Sequence, residues 1–179
     1  MKLSDGEKLI LMMLADMYKH MGIKNGEFDP DFITNTIVSD HLWGFNWRFT
    51  GIPFERQETP RDVKETADYL DMWMFLERSY QDLSAADKAK VNAATERTGV
   101  QFPGFDGNHE DHFGIARYFV DDLQRWEHFK GRDLNSHMPS VDGYRRMFRA
   151  FEPLRSSVLG DRSLNADEII SVMNARRLH

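Results

Sequence analysis

Residues Gly99 to Gly131, GVQFPGFDGNHEDHFGIARYFVDDLQRWEHFKG, constrain the fold more than any other stretch, because a stiff aromatic turn runs directly into an apolar pattern of helical period. Phe102 and Phe105 flank Pro103-Gly104, where proline sets φ for a turn and glycine tolerates positive φ. Asn108 offers an N-cap with Asp111 three residues on. Phe113, Ala116, Phe119, Val120, Leu123 and Trp126 then recur at three- and four-residue steps, which predicts one helix over 109–129. A rigid corner feeding a long amphipathic helix calls for other helices to cover it.

Those helices are signalled along the chain. Ser4 and Glu7 form a capping box, and Ile10, Met13, Leu14, Met17 and Met21 make a stripe that predicts a helix over 5–21 with this face in the core. Met at helical spacing is usually core filler rather than an adaptable groove. Asp29-Pro30 opens a helix over 30–42, and Thr59-Pro60 opens a longer one reaching Tyr80 or Leu83, apolar around more than half its circumference and therefore central. Ser84 and Asp87 cap a weakly amphipathic surface helix over 85–98. Ser140 or Asp142 begins a helix that Pro153 ends, Ser157 to Ser163 is a loop, and Asn165 with Glu168 caps the last helix. Between the second and third of these, Phe45, Trp47 and Phe49 alternate with polar residues, but a single strand has no partner, so Trp43 to Glu58 reads as a long aromatic loop. The fold class is all-α: a multi-helix bundle of about six to eight helices with a long aromatic loop.

No repeat, low-complexity tract or linker divides the chain, so a single helical domain over 1–179 is expected, and 179 residues suffice to bury a core without staples. There is no cysteine, which excludes disulfides, zinc thiolates, iron-sulfur clusters and thiol nucleophiles and accords with a reducing cytoplasm. The longest apolar run, Leu9 to Ala15, is far short of the roughly 20 residues a membrane span needs. Asp5 and Glu7 stand where a signal peptide is basic, which argues against export. A net charge of −6 disfavours nucleic acid and anionic membranes as partners, although seven Arg against four acidic residues make Arg145 to His179 locally basic.

Five features carry candidate chemistry. His109, Glu110 and His112, with Asp121 and Asp122 further along, are the closest approach to a metal-dependent hydrolase. The spacing is not His-Glu-x-x-His, however, and acidic residues at a helix start are expected from its dipole, so no metal or other cofactor is expected. His128, near a helix end beside Phe129, is either a ligand contact or a hydrogen-bonded structural residue. Arg145, Arg146 and Arg149 present a basic face for an anion or DNA-linked regulation, or simply a solvated face paired with acidic neighbours. Trp43 and Trp47 head an aromatic surface that either seals the core or meets a partner. Asp106 is the one polar residue of the aromatic turn, with a capping role or a ligand contact open to it. No nucleophile elbow, Walker loop or dinucleotide fingerprint occurs.

The chain resembles the YfbU family of uncharacterised small helical bacterial proteins. The resemblance rests on Phe102, Gly104, Phe105 and Asp106; on Arg117, Tyr118 and Val120; on His128-Phe129; on Tyr144 to Met147; and on Leu164 to Ile169. It is looser through Leu9 to Leu11, Thr36 to Val38 with Gly44, and Asp71 to Trp73. It implies an all-α fold, a cytosolic setting and a homo-oligomer, and it carries over no catalytic residues. The expected function is therefore a protein-interaction or regulatory module that self-associates or meets an unidentified protein partner, rather than an enzyme.

Overall fold

The computed structural model of the protein describes residues 2–23, 26–55, 58–95, 99–158 and 162–177, and among these all regular structure is helical. The chain forms two compact units, Met1–Thr59 with Asp121–Gln124, and Pro60–Val120 with Arg125–His179.

The first unit holds α1 (Asp5–His20), α2 (Pro30–Val38) and α3 (Trp43–Arg48). α1 starts where the sequence places it, with the Ser4/Glu7 capping box closed in both directions. Asp29 accepts from the N–H groups of Asp31 and Phe32 to start α2. α2 stops earlier than expected because Asp40 adopts φ +57° and lets the His41 N–H reach back to Thr36 O at 3.0 Å, a six-to-one closure that ends a helix. The expected aromatic loop contains α3. Aromatics at every second position are also two pairs spaced by four: Phe45 and Phe49 stack on one side, while Trp43 and Trp47 meet edge-on at 5.8 Å. A period of two was thus a helix read at half its step. Phe32 lies edge-on to both Phe45 and Phe49, and the Arg48 guanidinium sits over the Phe32 ring.

The second unit is built on α4 (Arg61–Asp82), which buries Val63, Tyr69, Leu70, Met72, Trp73 and Leu76. Pro60 precedes it without any side-chain cap, so Thr59 does not play the role its sequence suggests. α5 (Ala85–Thr95), α6 (His112–Arg117), α7 (Val141–Val158) and α8 (Ala166–Asn174) follow; α6, α7 and α8 pack on α4, while α5 packs chiefly on α8. The expected end of the fifth helix at 96–98 lies outside the described residues. α8 carries the Asn165/Glu168 capping box.

Two expectations fail here for identifiable reasons. The helix over 109–129 is broken: α6 is followed by one π-helical turn, Tyr118–Asp122, and a 3-10 turn, Glu127–Phe129. Tyr118, Phe119 and Val120 are all buried, and three consecutive residues cannot share one face of a 3.6-residue helix; the wider turn accommodates them. Gln124 and Trp126 then take positive φ, and the Arg125 N–H closes onto Phe119 O at 2.9 Å. That reversal delivers the Trp126 indole N–H to Asp71 Oδ1 at 2.8 Å, with its ring 4.8 Å from Phe119. Tertiary anchoring of one tryptophan outweighs local helical pattern.

Pro153, expected to end α7, lies inside it. The lost N–H bond is offset by Arg155, whose guanidinium holds Asp68 and Asp71 of α4 at 2.7 and 2.8 Å and so draws the following turn onto the core.

The aromatic turn is pinned as its composition implies. Gly104 has φ +93°, and a Cβ there would lie 2.1 Å from Leu134 O. Phe105 pairs with the chain around Asn135, donating to Leu134 O and accepting from Ser136, each at 2.8 Å. Tyr144 Oη donates to Gly104 O at 2.6 Å from inside the core. Phe102, Phe105, Trp73 and Tyr144 then interlock, ring centres 5.4 to 5.8 Å apart.

Candidate functional site

Around the aromatic turn, carboxylates serve the backbone. Asp106 is 2% exposed and accepts from the Asn108 N–H at 3.0 Å, with the His109 ring at 2.8 Å. The Asn108 N–H and then the His109 ring hold its carboxyl below the ordinary range. Glu110 reaches across the chain to the start of α7, accepting from the Ser140 and Val141 N–H groups at 2.6 and 2.8 Å, the Ser140 hydroxyl at 2.7 Å and the Asp106 N–H at 2.8 Å. Burial pushes its carboxyl up, but the N–H groups of Val141, Asp106 and Ser140 outweigh it and leave the group more acidic than usual.

The side chains of His109, Glu110 and His112, the alternative metal set, turn to different partners. His109 is turned to Asp106 and largely exposed, and Glu110 is committed to α7. His112 is buried against the Tyr69 and Phe105 rings, and the groups it meets are Asp62 and Glu65 of α4. Asp121 and Asp122 belong to the other unit, where Asp122 accepts from the Asn35 side-chain amide at 2.6 Å.

His128 joins a buried cluster centred on Glu77 of α4. Glu77, 5% exposed, receives His128 Nε2 at 2.6 Å, the Arg132 guanidinium through two N–H bonds at 2.8 and 3.0 Å, and the Phe102 N–H at 2.5 Å. Burial raises its carboxyl, and Arg132, Phe102 and His128 more than reverse this. The sequence signal for Glu77 is its place four residues after Trp73 on the buried face of α4, where a lone carboxylate must have partners. His128 also borders an open cleft of about 370 Å³ with Met74, Arg78, Arg125, Trp126 and Glu127.

The basic C-terminal face is largely engaged within its own unit. Arg145 pairs with Asp142 and Glu65, Arg146 donates to Arg176 O at 2.6 Å, and Arg177 donates to Thr95 O at 3.0 Å. Arg149 is exposed. Trp43 and Trp47 are half-buried on α3.

The largest departure is on α1. The stripe expected to face the core, Ile10, Met13, Leu14, Met17 and Met21, is exposed, and so is Leu9 beside it: all six are more than half exposed, with Met13 at 66% and Met21 at 70%. α1 instead turns Ala15, its single buried residue, inward. At 100° per residue the six exposed apolar positions fall within an arc of roughly 140°. Leu14, Met17 and Met21 also form one wall of an apolar groove of about 530 Å³, closed by Phe28, Phe49 and Phe54 among others. The pattern was legible, but its facing was not, since periodicity reveals an apolar face without saying what covers it.

No described helix is long and apolar enough to cross a membrane. Compared with known proteins, the chain is 25% identical over 175 residues to UPF0304 protein MJECS11 of Methanocaldococcus jannaschii, a match covering 94% of this chain and 98% of that protein. No solved structure matches it. The model of the YfbU domain matches residues 1–175, so the chain, read from its aromatic turn to its last capping box, belongs to the YfbU family.

Proposed function

We propose that the protein is a self-associating interaction module whose contact surface is the exposed apolar face of α1, and that its occupant is α1 of a second copy. The observation that carries this is the stripe itself. Leu9, Ile10, Met13, Leu14, Met17 and Met21 leave on the order of 800 Å² of mostly apolar side chain in water, more than the roughly 300–600 Å² of the largest patch on a typical monomer and close to one side of a standard interface. Burying such an area against its like stabilises a pair, since apolar surface leaves water on both sides.

Charge favours a second copy in the antiparallel sense. α1 is acidic in its first turn, Asp5 and Glu7, and basic in its last, Lys19 and His20. Antiparallel helices crossing near Met13 set each acidic end beside a basic end and oppose the two helix dipoles, whereas a parallel pair stacks like charges. The residues at the crossing are Met and Leu, which adapt to a facing copy of themselves. A cysteine-free chain suits a reducing cytoplasm as the setting.

The test is the mass in solution of the wild type and of a Met13→Asp, Met17→Asp double variant, by sedimentation equilibrium at micromolar concentration. The expected result is a dimer for the wild type and a monomer with unchanged helix content for the variant. A monomeric wild type, or a dimer that survives both substitutions, overturns the proposal.

A further inference from the structure

A second, independent feature lies on α4. Asp62 and Glu65 are three residues apart, hence neighbours on one helix face, and His112, the first residue of α6, reaches them from the side. One ligand atom from each of the three lies within 4.8 Å of the others. Acidic residues at a helix start need no metal to explain them, and Asp62 alone would be unremarked. His112 is different. The residue is 8% exposed, and its Nε2 is buried without a hydrogen-bond partner, although Glu65 Oε2 is 3.4 Å away. An orphaned imidazole nitrogen inside a protein is costly, and it is aimed at a carboxylate oxygen it does not bond.

The spacing of those two atoms suits an ion better than a hydrogen bond. Two ligand atoms on a tetrahedral zinc ion, each about 2.0–2.1 Å from it, are roughly 3.4 Å apart. We propose that His112 Nε2, Glu65 and Asp62 form a site for a divalent transition metal, zinc by the chemistry of its donors, with a fourth position left to water. A mixed set of one imidazole and two carboxylates selects zinc-like ions over magnesium or calcium, which prefer oxygen alone.

Glu65 is not idle without an ion. Its Oε1 accepts from Arg61 Nε at 2.8 Å and its Oε2 from Arg145 at 3.2 Å. Arg145 has a second carboxylate, Asp142, at 2.8 Å, so an ion that takes Oε2 leaves Arg145 paired. The same competition makes the site a modest one, filled at micromolar rather than nanomolar metal.

The test is titration of the full chain, free of any histidine tag, with zinc ion, read by isothermal titration calorimetry and by metal content after dialysis. The expected result is one equivalent bound, weakened at least tenfold by Asp62→Asn and by His112→Gln, and unchanged by His109→Ala. Asp62 is exposed, so its variant keeps the fold, and melting in chelator verifies this. No saturable binding, or binding retained in both the Asp62 and His112 variants, overturns the site.

Discussion

Glu77 and Arg132 face each other as fork and fork, with guanidinium N–H bonds of 2.8 and 3.0 Å to the two carboxylate oxygens of a glutamate that is 5% exposed. Removing the charge leaves Arg132 and His128 without their anion in a largely desolvated place. Glu77→Gln is expected to cost about 3 kcal/mol, the lower end for breaking a buried pair because Arg132 retains some contact with water. Urea denaturation measures it, and a loss below half that value means the cluster is solvated.

Glu77 and Glu110 both have carboxyls held below the ordinary range in the folded protein. A group whose folded pKa is depressed adds stability above its unfolded value and loses it as pH falls through the folded one. Stability is therefore expected to fall as pH drops below roughly 4.3, the unfolded glutamate value, and to keep falling below it. Glu110→Gln should flatten this acid limb, as followed by thermal melting across a pH series; an unchanged limb refutes the assignment.

Gly104 cannot take a side chain, since φ is +93° and Leu134 O occupies the place of a Cβ. Gly104→Ala is expected to destabilise by about 3 kcal/mol, strain and clash together. Tyr144→Phe, which strips the hydroxyl bonded to Gly104 O, should cost about 1.5 kcal/mol. Differential scanning calorimetry of the two variants ranks them, and the glycine change must be the larger.

Pro153 sits exposed in the interior of α7. Restoring the missing N–H with Pro153→Ala is expected to stabilise by about 1 kcal/mol, less than the full helix-interior penalty because the Arg155 pairs already hold the turn that follows. A lower melting temperature for this variant would mean that the proline itself positions Arg155.

What sequence alone conveyed depends on whether the cause was local. The capping boxes at Ser4 and Asn165, Pro at the start of α2, and the turn at Gly104 are decided by residues within a few positions of each other, and each forms as read. The break after Arg117 was illegible because it follows from Trp126 finding Asp71, a partner 55 positions away. The same holds for Glu77 with His128 and for the approach of His112 to Glu65, neighbours that only the folded chain brings together. α3 was hidden by an ambiguity of period, and the facing of α1 by the fact that a helical stripe shows where apolar residues align but not whether core or solvent lies against them.

Glu110 makes the first residues of α7 depend on a segment 30 positions earlier: its carboxylate accepts the N–H groups of Ser140 and Val141 while also holding Asp106. A helix ordinarily carries its own start signal, whereas here the start is borrowed. The amide hydrogens of Asp106, Ser140 and Val141 should accordingly exchange with solvent as one group, at one opening free energy, because a single carboxylate releases all three. The aromatic turn and α7 thus become a single cooperative piece, and a fragment beginning at residue 139 would fray at the end that the intact chain locks.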